Sequence, residues 1–306
     1  MNRTPVKNIG LPLFPEFVPL SLEHKALYEH AAYISNVEVS ELNFAELFLW
    51  RQYFKPFIST LNSNICIKVE KAKEIFYCPP LGTERIPETI LEILDSVKSA
   101  AGKFEMSCLS EKLAFETSAL RAGLEPVTAR DDADYLYLAK DLSELRGSKY
   151  DGKRNFIKRF EQNEDFEFFL LDDKAARGCL DLQEEWCIAK NCSGNELLQE
   201  ENKAVTEVFL NFSKLSVVGC AIKTGGRIQA FSIAYKLNPS TAVILFEKAN
   251  PEVKGIYQAI NQYFAKELAR NFTYINREQD HGVAGLRKAK LSYQPIRLVN
   301  KYRIEL

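Results

Sequence analysis

The stretch that decides the fold runs from Thr241-Ala-Val-Ile-Leu-Phe-Glu-Lys248, through Ala249-Asn-Pro-Glu-Val-Lys-Gly255 and Ile256-Tyr-Gln258, to Thr273-Tyr-Ile-Asn-Arg-Glu278. An apolar strand leads into a turn with Pro251 and Gly255, a helix over Gly255 to Asn271, and a second strand over Thr273 to Glu278. A crossover of that length joins parallel strands. Upstream, Leu215 to Lys223 and Arg227 to Lys236 flank Thr224-Gly225-Gly226, a hairpin signal in which the glycines supply positive φ. Asn238-Pro239-Ser240 then turns the chain into Thr241. Downstream, Gly285 to Ser292 reads as a helix and Ile296 to Ile304 as a terminal strand. The order is an antiparallel meander, a parallel crossover, a helix and a closing strand.

That order matches the core of the acyl-CoA N-acyltransferase fold. In it the two parallel strands splay apart, and the helix N-terminus between them offers backbone N–H groups to a phosphate or a carbonyl. The corner Phe246 to Gln258 holds one glycine where the coenzyme A loop of ordinary members has two.

Composition fits a soluble globular chain. Of 306 residues, 46% are hydrophobic and 26% charged, so disorder and collagen-like repeats are excluded. No apolar run approaches the roughly 18 residues of a membrane span. The proline-punctuated arm Met1 to Leu20 does not read as a signal peptide. Seven cysteines without a C-x-x-C pair read as reduced thiols of a cytoplasmic protein, with Cys187 and Cys192 as packing residues. Three histidines far from paired cysteines give no metal site.

The formal charge of -1 hides a segregation. Residues 1–145 carry 15 basic and 21 acidic side chains, a net of -6; residues 160–248 carry 9 and 14, a net of -5. Between them, residues 146–159 carry six cations against Asp151, and residues 249–306 carry 10 basic and 5 acidic groups, +5 in each case. If the two basic segments converge they make an anion site; the plainer alternative is two solvated helix faces.

The first half alternates in the same way. Helices are expected over Leu22 to Ile34, Ser40 to Phe54, Pro87 to Ala101 (ended by Gly102) and Lys112 to Ala122. Strands are expected over Ile65 to Val69, Glu74 to Cys78 (ended by Pro79-Pro80-Leu81-Gly82), Phe104 to Cys108 and Asp134 to Leu138. The second half opens with a basic helix, Tyr150 to Asn163. The reading is α+β, with two tandem domains over residues 1–145 and 146–306.

Three segments carry a family resemblance: Tyr274-Ile-Asn-Arg-Glu-Gln-Asp-His-Gly-Val-Ala-Gly-Leu-Arg-Lys-Ala-Lys-Leu-Ser-Tyr-Gln-Pro295, Phe246-Glu-Lys-Ala249 with Gly255-Ile-Tyr-Gln258, and Leu145-Arg-Gly-Ser-Lys-Tyr-Asp-Gly-Lys-Arg-Asn155. They resemble the phosphatidylglycerol lysyltransferase C-terminal-like proteins. The resemblance implies tandem acyltransferase (GNAT-like) folds related to the tRNA-dependent peptidoglycan aminoacyl ligases. It also implies an anionic acyl carrier, aminoacyl-tRNA or acyl-CoA, as co-substrate, and a lipid or peptide acceptor. The best-known relatives carry a large membrane-embedded part, and this chain has no transmembrane segment. A non-catalytic module that binds a carrier or peptide is the alternative function.

Strand alternation puts Tyr274, Asn276 and Glu278 on one face, and Val243, Leu245 and Glu247 on one face of the neighbouring strand. Glu247 and Glu278 thus come at the C-terminal ends of parallel strands, where open sheets bind ligands. They are the candidate acid–base groups, with Asn276 and Tyr257 beside them. The competing arrangement pairs each acid with Lys248 or Arg277 in a structural ion pair. Lys153, Arg154, Lys248, Arg277, Arg287, Lys288, Lys290 and Lys301 are candidate contacts to an anionic carrier, and Asp280 a polar contact in the strand-to-loop exit.

Overall fold

A computed structural model of the chain describes residues 10–71, 74–98 and 105–305. The end of the helix expected over Pro87 to Ala101, its stop at Gly102, Phe104 and the start of the N-terminal arm lie outside those residues. The chain forms two compact units, one made of Met1–Ala133 with Val299–Leu306 and the other of Asp134–Leu298.

The first unit holds β1 (Val18–Pro19), β2 (Pro56–Leu61), β3 (Asn64–Lys71), β4 (Glu74–Leu81), β5 (Glu105–Leu109) and β6 (Val127–Thr128). The second sheet holds β7 (Asp134–Leu138), β8 (Phe166–Leu170), β9 (Val218–Thr224), β10 (Arg227–Asn238), β11 (Thr241–Ala249), β12 (Tyr274–Asn276) and β13 (Arg297–Val299). The last strand, β14 (Tyr302–Glu305), returns to the first sheet. The orders are β1-β2-β3-β4-β5-β14-β6 and β13-β7-β12-β11-β10-β9-β8.

The division falls at Ala133/Asp134 rather than at 145/146, because β7 pairs with β12 in the second sheet. The terminal strand expected over Ile296 to Ile304 is two strands in two different sheets. β4 also runs through Pro79 and Pro80, which the sequence reading takes as a breaker. Its parallel register with β5 is set at Tyr77↔Met106, and the prolines lie beyond that point.

The second unit follows the meander and crossover expected of it. β9 and β10 pair antiparallel across Gly225 and Gly226, both at positive φ. β10 pairs antiparallel with β11, and β11 pairs parallel with β12 from Thr241↔Tyr274 to Val243↔Asn276. The strand expected to reach Glu278 stops at Asn276, because Glu278 adopts a left-handed φ of 55° that a ladder does not accept.

β11 and β12 therefore part company after Val243 and Asn276, and β11 continues to Ala249. The crossover helix Ile256–Leu268 covers this region, burying Ile256, Ala259, Ile260, Phe264 and Leu268 at helical spacing. Its core cluster includes Ile157 and Phe160 of the basic helix Asp151–Asn163 and Tyr135 and Tyr137 of β7. A side chain of this size is worth about 1.5–3 kcal/mol when fully buried.

Candidate active site in the second unit

The opening between β11 and β12 is occupied by charge. Glu247 projects from β11, and Arg277 follows the last residue of β12. Their side chains meet at 2.9 Å and are 13% and 14% exposed. The other Glu247 oxygen accepts from Asn261 Nδ2 of the crossover helix at 3.2 Å. Ser232 is the register partner of Glu247 across β10 and β11, so its side chain lies on the same face.

The Arg277 guanidinium stands 4.9 Å from the Tyr293 ring centre and 5.9 Å from that of Tyr137. Burial works to lower the Arg277 pKa, but Glu247 overrides it and the group is held more firmly protonated than usual. The Lys153 ammonium lies 4.1 Å from the same Tyr293 ring and donates to Ser292 Oγ at 2.7 Å. Burial, reinforced by repulsion from Arg277, lowers the Lys153 pKa. An open groove of about 560 Å³ lies alongside, lined by Gly282, Ala284, Arg287, Lys288, Leu291 and Ser292.

Lys248 points the other way. It is buried against Trp186 of the helix Asp173–Ala189, with its ammonium 3.6 Å from the ring centre and 2.8 Å from Glu201. Burial lowers its pKa against the pull of Glu201. Trp186 Nε1 donates to Tyr257 Oη at 3.3 Å. Burial raises the Tyr257 pKa, while the bond from Trp186 works to lower it.

Asp280, fully buried, takes both Arg287 nitrogens at 2.8 and 2.9 Å, the Tyr135 hydroxyl at 2.5 Å and the Gly282 N–H at 2.9 Å. The Arg287 bonds hold its carboxyl far below the usual carboxylate range. Lys290 donates to the carbonyls of Arg277, Glu278 and Gln279. Together they fasten the loop after β12 to the cationic helix Ala284–Leu291.

Asn276 donates to Asp134 at 2.9 Å and accepts from the Glu278 N–H at 2.7 Å. Arg154 donates to the carbonyls of Leu145 and Gly147 and to Asp151. Lys301 belongs to the first unit, where it pairs with Glu41 at 2.6 Å.

Of the sequence candidates, Glu247, Arg277 and Lys153 are thus gathered around Tyr293, with Lys288 on the adjoining groove. Asn276, Asp280, Lys290 and Arg154 hold backbone and loops. Lys248 and Tyr257 share a cluster on Trp186. Asn261, Ser232, Tyr293 and Ser292 escape the sequence reading. Asn261 and Ser232 left a signal all the same: each is a polar residue inside an otherwise apolar buried run.

The corner before the crossover helix engages part of its own backbone. The Asn250 N–H donates to the Gln229 carbonyl, Glu252 to Asn250 Oδ1, Val253 to the Asn250 carbonyl and Ile256 to the Val253 carbonyl. A Cβ on Gly255 would stand 2.2 Å from the Phe156 carbonyl oxygen, so the basic helix packs directly on the corner.

Cys187 and Cys192 form a disulfide with Cα atoms 5.2 Å apart, which corrects the reading of free packing thiols. Asn191, at a left-handed φ of 51°, turns the chain back after the helix end and brings the pair together. Among the described residues no helix is long and apolar enough to cross a membrane, and no cluster of metal-ligating side chains occurs.

Two sheets of this topology, each with a splayed strand–helix–strand, define a tandem GNAT-type protein of the α+β class, acyltransferase-like in its fold. The chain belongs to the family described as phosphatidylglycerol lysyltransferase, C-terminal, whose model matches residues 34–305. A conserved protein of unknown function from Bacteroides thetaiotaomicron VPI-5482 is 29% identical, with a TM-score of 0.90 over 95% of this chain and 99% of its own. L-PGS from Bacillus licheniformis is 14% identical, with a TM-score of 0.65 over 91% of this chain and 90% of its own. FemX is 9% identical, with a TM-score of 0.57 over 94% and 96%. Among curated proteins none matches the chain.

Proposed function

We propose that the second unit transfers an aminoacyl group from an oxygen-ester carrier of the aminoacyl-tRNA kind to an amine or hydroxyl acceptor, in the opening between β11 and β12. The observation that carries this reading is the Glu247–Arg277 pair, set where the two parallel strands part. Glu247 is the base that takes the acceptor's proton. Arg277 orients that carboxylate through its bond to Glu247. The Tyr257 phenol accepts from Trp186 Nε1, which leaves its own proton to give to the departing oxygen. Lys153 and Lys288 draw in the anionic carrier.

The basic helix, packed against Gly255, crowds the approach to the crossover helix N-terminus on which a pyrophosphate relies, and this favours the aminoacyl-tRNA kind of carrier over coenzyme A. The experiment follows label leaving the carrier. The full chain is incubated with tRNA charged with a radiolabelled amino acid, or with acyl-coenzyme A, plus a small-molecule extract as the source of acceptors. Accelerated release from the charged tRNA, lost in Glu247→Gln, is the expected result. Release that survives Glu247→Gln, or that occurs from the thioester alone, overturns the reading.

A further inference from the structure

The polar atoms left over around Glu247 say what sort of acceptor fits, an inference that rests on the opening being the transfer site. Ser232 Oγ, Asn261 Oδ1 and Arg277 Nη1 are buried side-chain atoms with no hydrogen-bond partner among the described residues. Ser232 is wholly buried and Asn261 is 5% exposed. A buried polar atom left unsatisfied costs about 1–3 kcal/mol, so folded chains seldom keep one without use for it. Here three surround one carboxylate.

Their chemical types differ. Arg277 Nη1 only donates, Asn261 Oδ1 only accepts, and Ser232 Oγ does either. A ligand that serves all three carries an acceptor and a donor close together. Charge narrows the choice. Arg277 and Lys153 share the Tyr293 ring, at 4.9 and 4.1 Å, while Glu247 supplies one negative charge between the strands. The surplus is one positive charge, beside a lysine that pays for its burial and its cationic neighbour.

An aliphatic acyl chain brings neither donor nor acceptor, and an amine alone adds to the positive surplus. A free α-amino acid brings a carboxylate for Arg277 and Lys153 and an ammonium for Asn261, Ser232 and Glu247, on adjacent carbons. We propose that the acceptor is a free α-amino acid, held by its carboxylate on Arg277 and Lys153 with its amine against Glu247.

In the step this implies, the ammonium first loses a proton to Glu247, which passes it to solvent. The amine nitrogen then forms a C–N bond to the carrier's acyl carbon as the C–O ester bond breaks. The second amine proton goes through Glu247 to Tyr257, as Tyr257 gives its own to the departing carrier oxygen. The product is an amide, one proton is released overall, and no oxidant or metal is consumed.

The test is calorimetric binding to the full chain without any carrier. The probes are the standard free L-amino acids, their amides, their N-acetyl derivatives, inorganic phosphate and phosphoethanolamine. At least one free amino acid should bind, and its amide and N-acetyl forms about tenfold more weakly or worse, each having lost one charged contact. Arg277→Lys and Lys153→Met should weaken that binding. Ser232→Ala keeps the fold in play: it removes an unsatisfied hydroxyl, so the melting temperature of the unliganded protein should hold or rise while affinity falls several-fold.

The proposal is overturned if no free amino acid binds, if amides bind as well as the free acids, or if phosphate or phosphoethanolamine binds more tightly than every amino acid. It is overturned also if affinity is intact in Ser232→Ala and Lys153→Met together. Binding without transfer from charged tRNA supports the amino-acid site and counts against the carrier proposed above, so the two readings fail separately.

Discussion

In the first unit, the corner that follows β4 is closed by its own side chains. The Gly82 N–H donates to Ser35 Oγ at 2.7 Å and the Glu84 N–H to Asn64 Oδ1 at 3.3 Å. The helix Ile86–Lys98 and β5 pack beside it through Ile90, Ile93, Leu94, Met106 and Leu109, all aliphatic and buried. In the second unit, the corner after β11 is engaged in part, and the space beside it holds Glu247, Arg277, Asn261 and Ser232. The unit's two-strand opening is the same device in both places. Hydrocarbon fills one and ionised groups line the other. An ion pair in a core is weak support for stability, because desolvation offsets most of its attraction. Its use lies elsewhere, and the atoms without partners beside it make the same point. In the first unit the one such atom among the described residues is Trp50 Nε1.

The largest expected effect separates these two interiors directly. Glu247→Gln should lower the rate of transfer per folded molecule about 100-fold or more, on top of the stability lost when Arg277 is left without its carboxylate partner. Lys301→Met, which removes the pair with Glu41 in the first unit, should cost stability alone: a loss of about 1–3 kcal/mol in denaturant unfolding and an unchanged rate per folded molecule. A rate loss in Lys301→Met as deep as that in Glu247→Gln would erase the contrast.

The two corner glycines sharpen it. A Cβ at Gly255 meets backbone, the Phe156 carbonyl oxygen at 2.2 Å, and sits at a φ of 92°. Gly255→Ala should cost about 3 kcal/mol, since a helix must move to make room. At Gly82 the obstacle is the side chain of Asn64, at 2.1 Å, which can swing aside by giving up its bonds to Glu84 and Thr89. Gly82→Ala should cost less, about 2 kcal/mol. Equal losses, read from urea midpoints at constant slope, would mean that the basic helix does not pack on the second corner as described.

A further effect, which depends on pH, lies at Asp280. Its folded pKa is depressed chiefly by Arg287, so its contribution is complete above the ordinary carboxylate pKa of about 3.9. It is lost as pH falls through the lower folded value. Asp280→Asn should cost about 2 kcal/mol at pH 7, less than a fully buried pair because Arg287 keeps a third of its surface in water. It should also flatten the fall in stability below about pH 4. An unchanged acid limb would place the acid sensitivity in other carboxylates.

How far the sequence reached differs between these regions for physical reasons. The hairpin at Gly225-Gly226 and the crossover from β11 to β12 were legible because both are local: turn chemistry and strand alternation need no distant partner. The pairing of Glu247 with Arg277 was one of two arrangements left open: alternation puts Arg277 on the face opposite to Asn276, and the pair forms because β12 ends at Asn276 while β11 continues. Which sheet a strand joins is not local. β2 begins at Pro56 and escaped notice, and β7 and the last strand were each assigned to the wrong half. The end of β12 also depends on context, since the left-handed turn at Glu278 is held by Lys290 and Asn276 rather than by a glycine. Asn261 and Ser232 became members of the site only once helix and sheet were folded over one another.

The placement of β14 between β5 and β6 has a consequence for how the chain is made. The second unit is, in effect, a long insertion in the first. A ribosome delivers residues 134–298 before it releases the strand that fills an interior position of the first sheet. Until that strand is made, the facing edges of β5 and β6 have nothing between them, so the first unit closes after the second although it is the first to emerge. A truncation at residue 298 would leave the second unit whole by length and the first with a gap in the middle of its sheet.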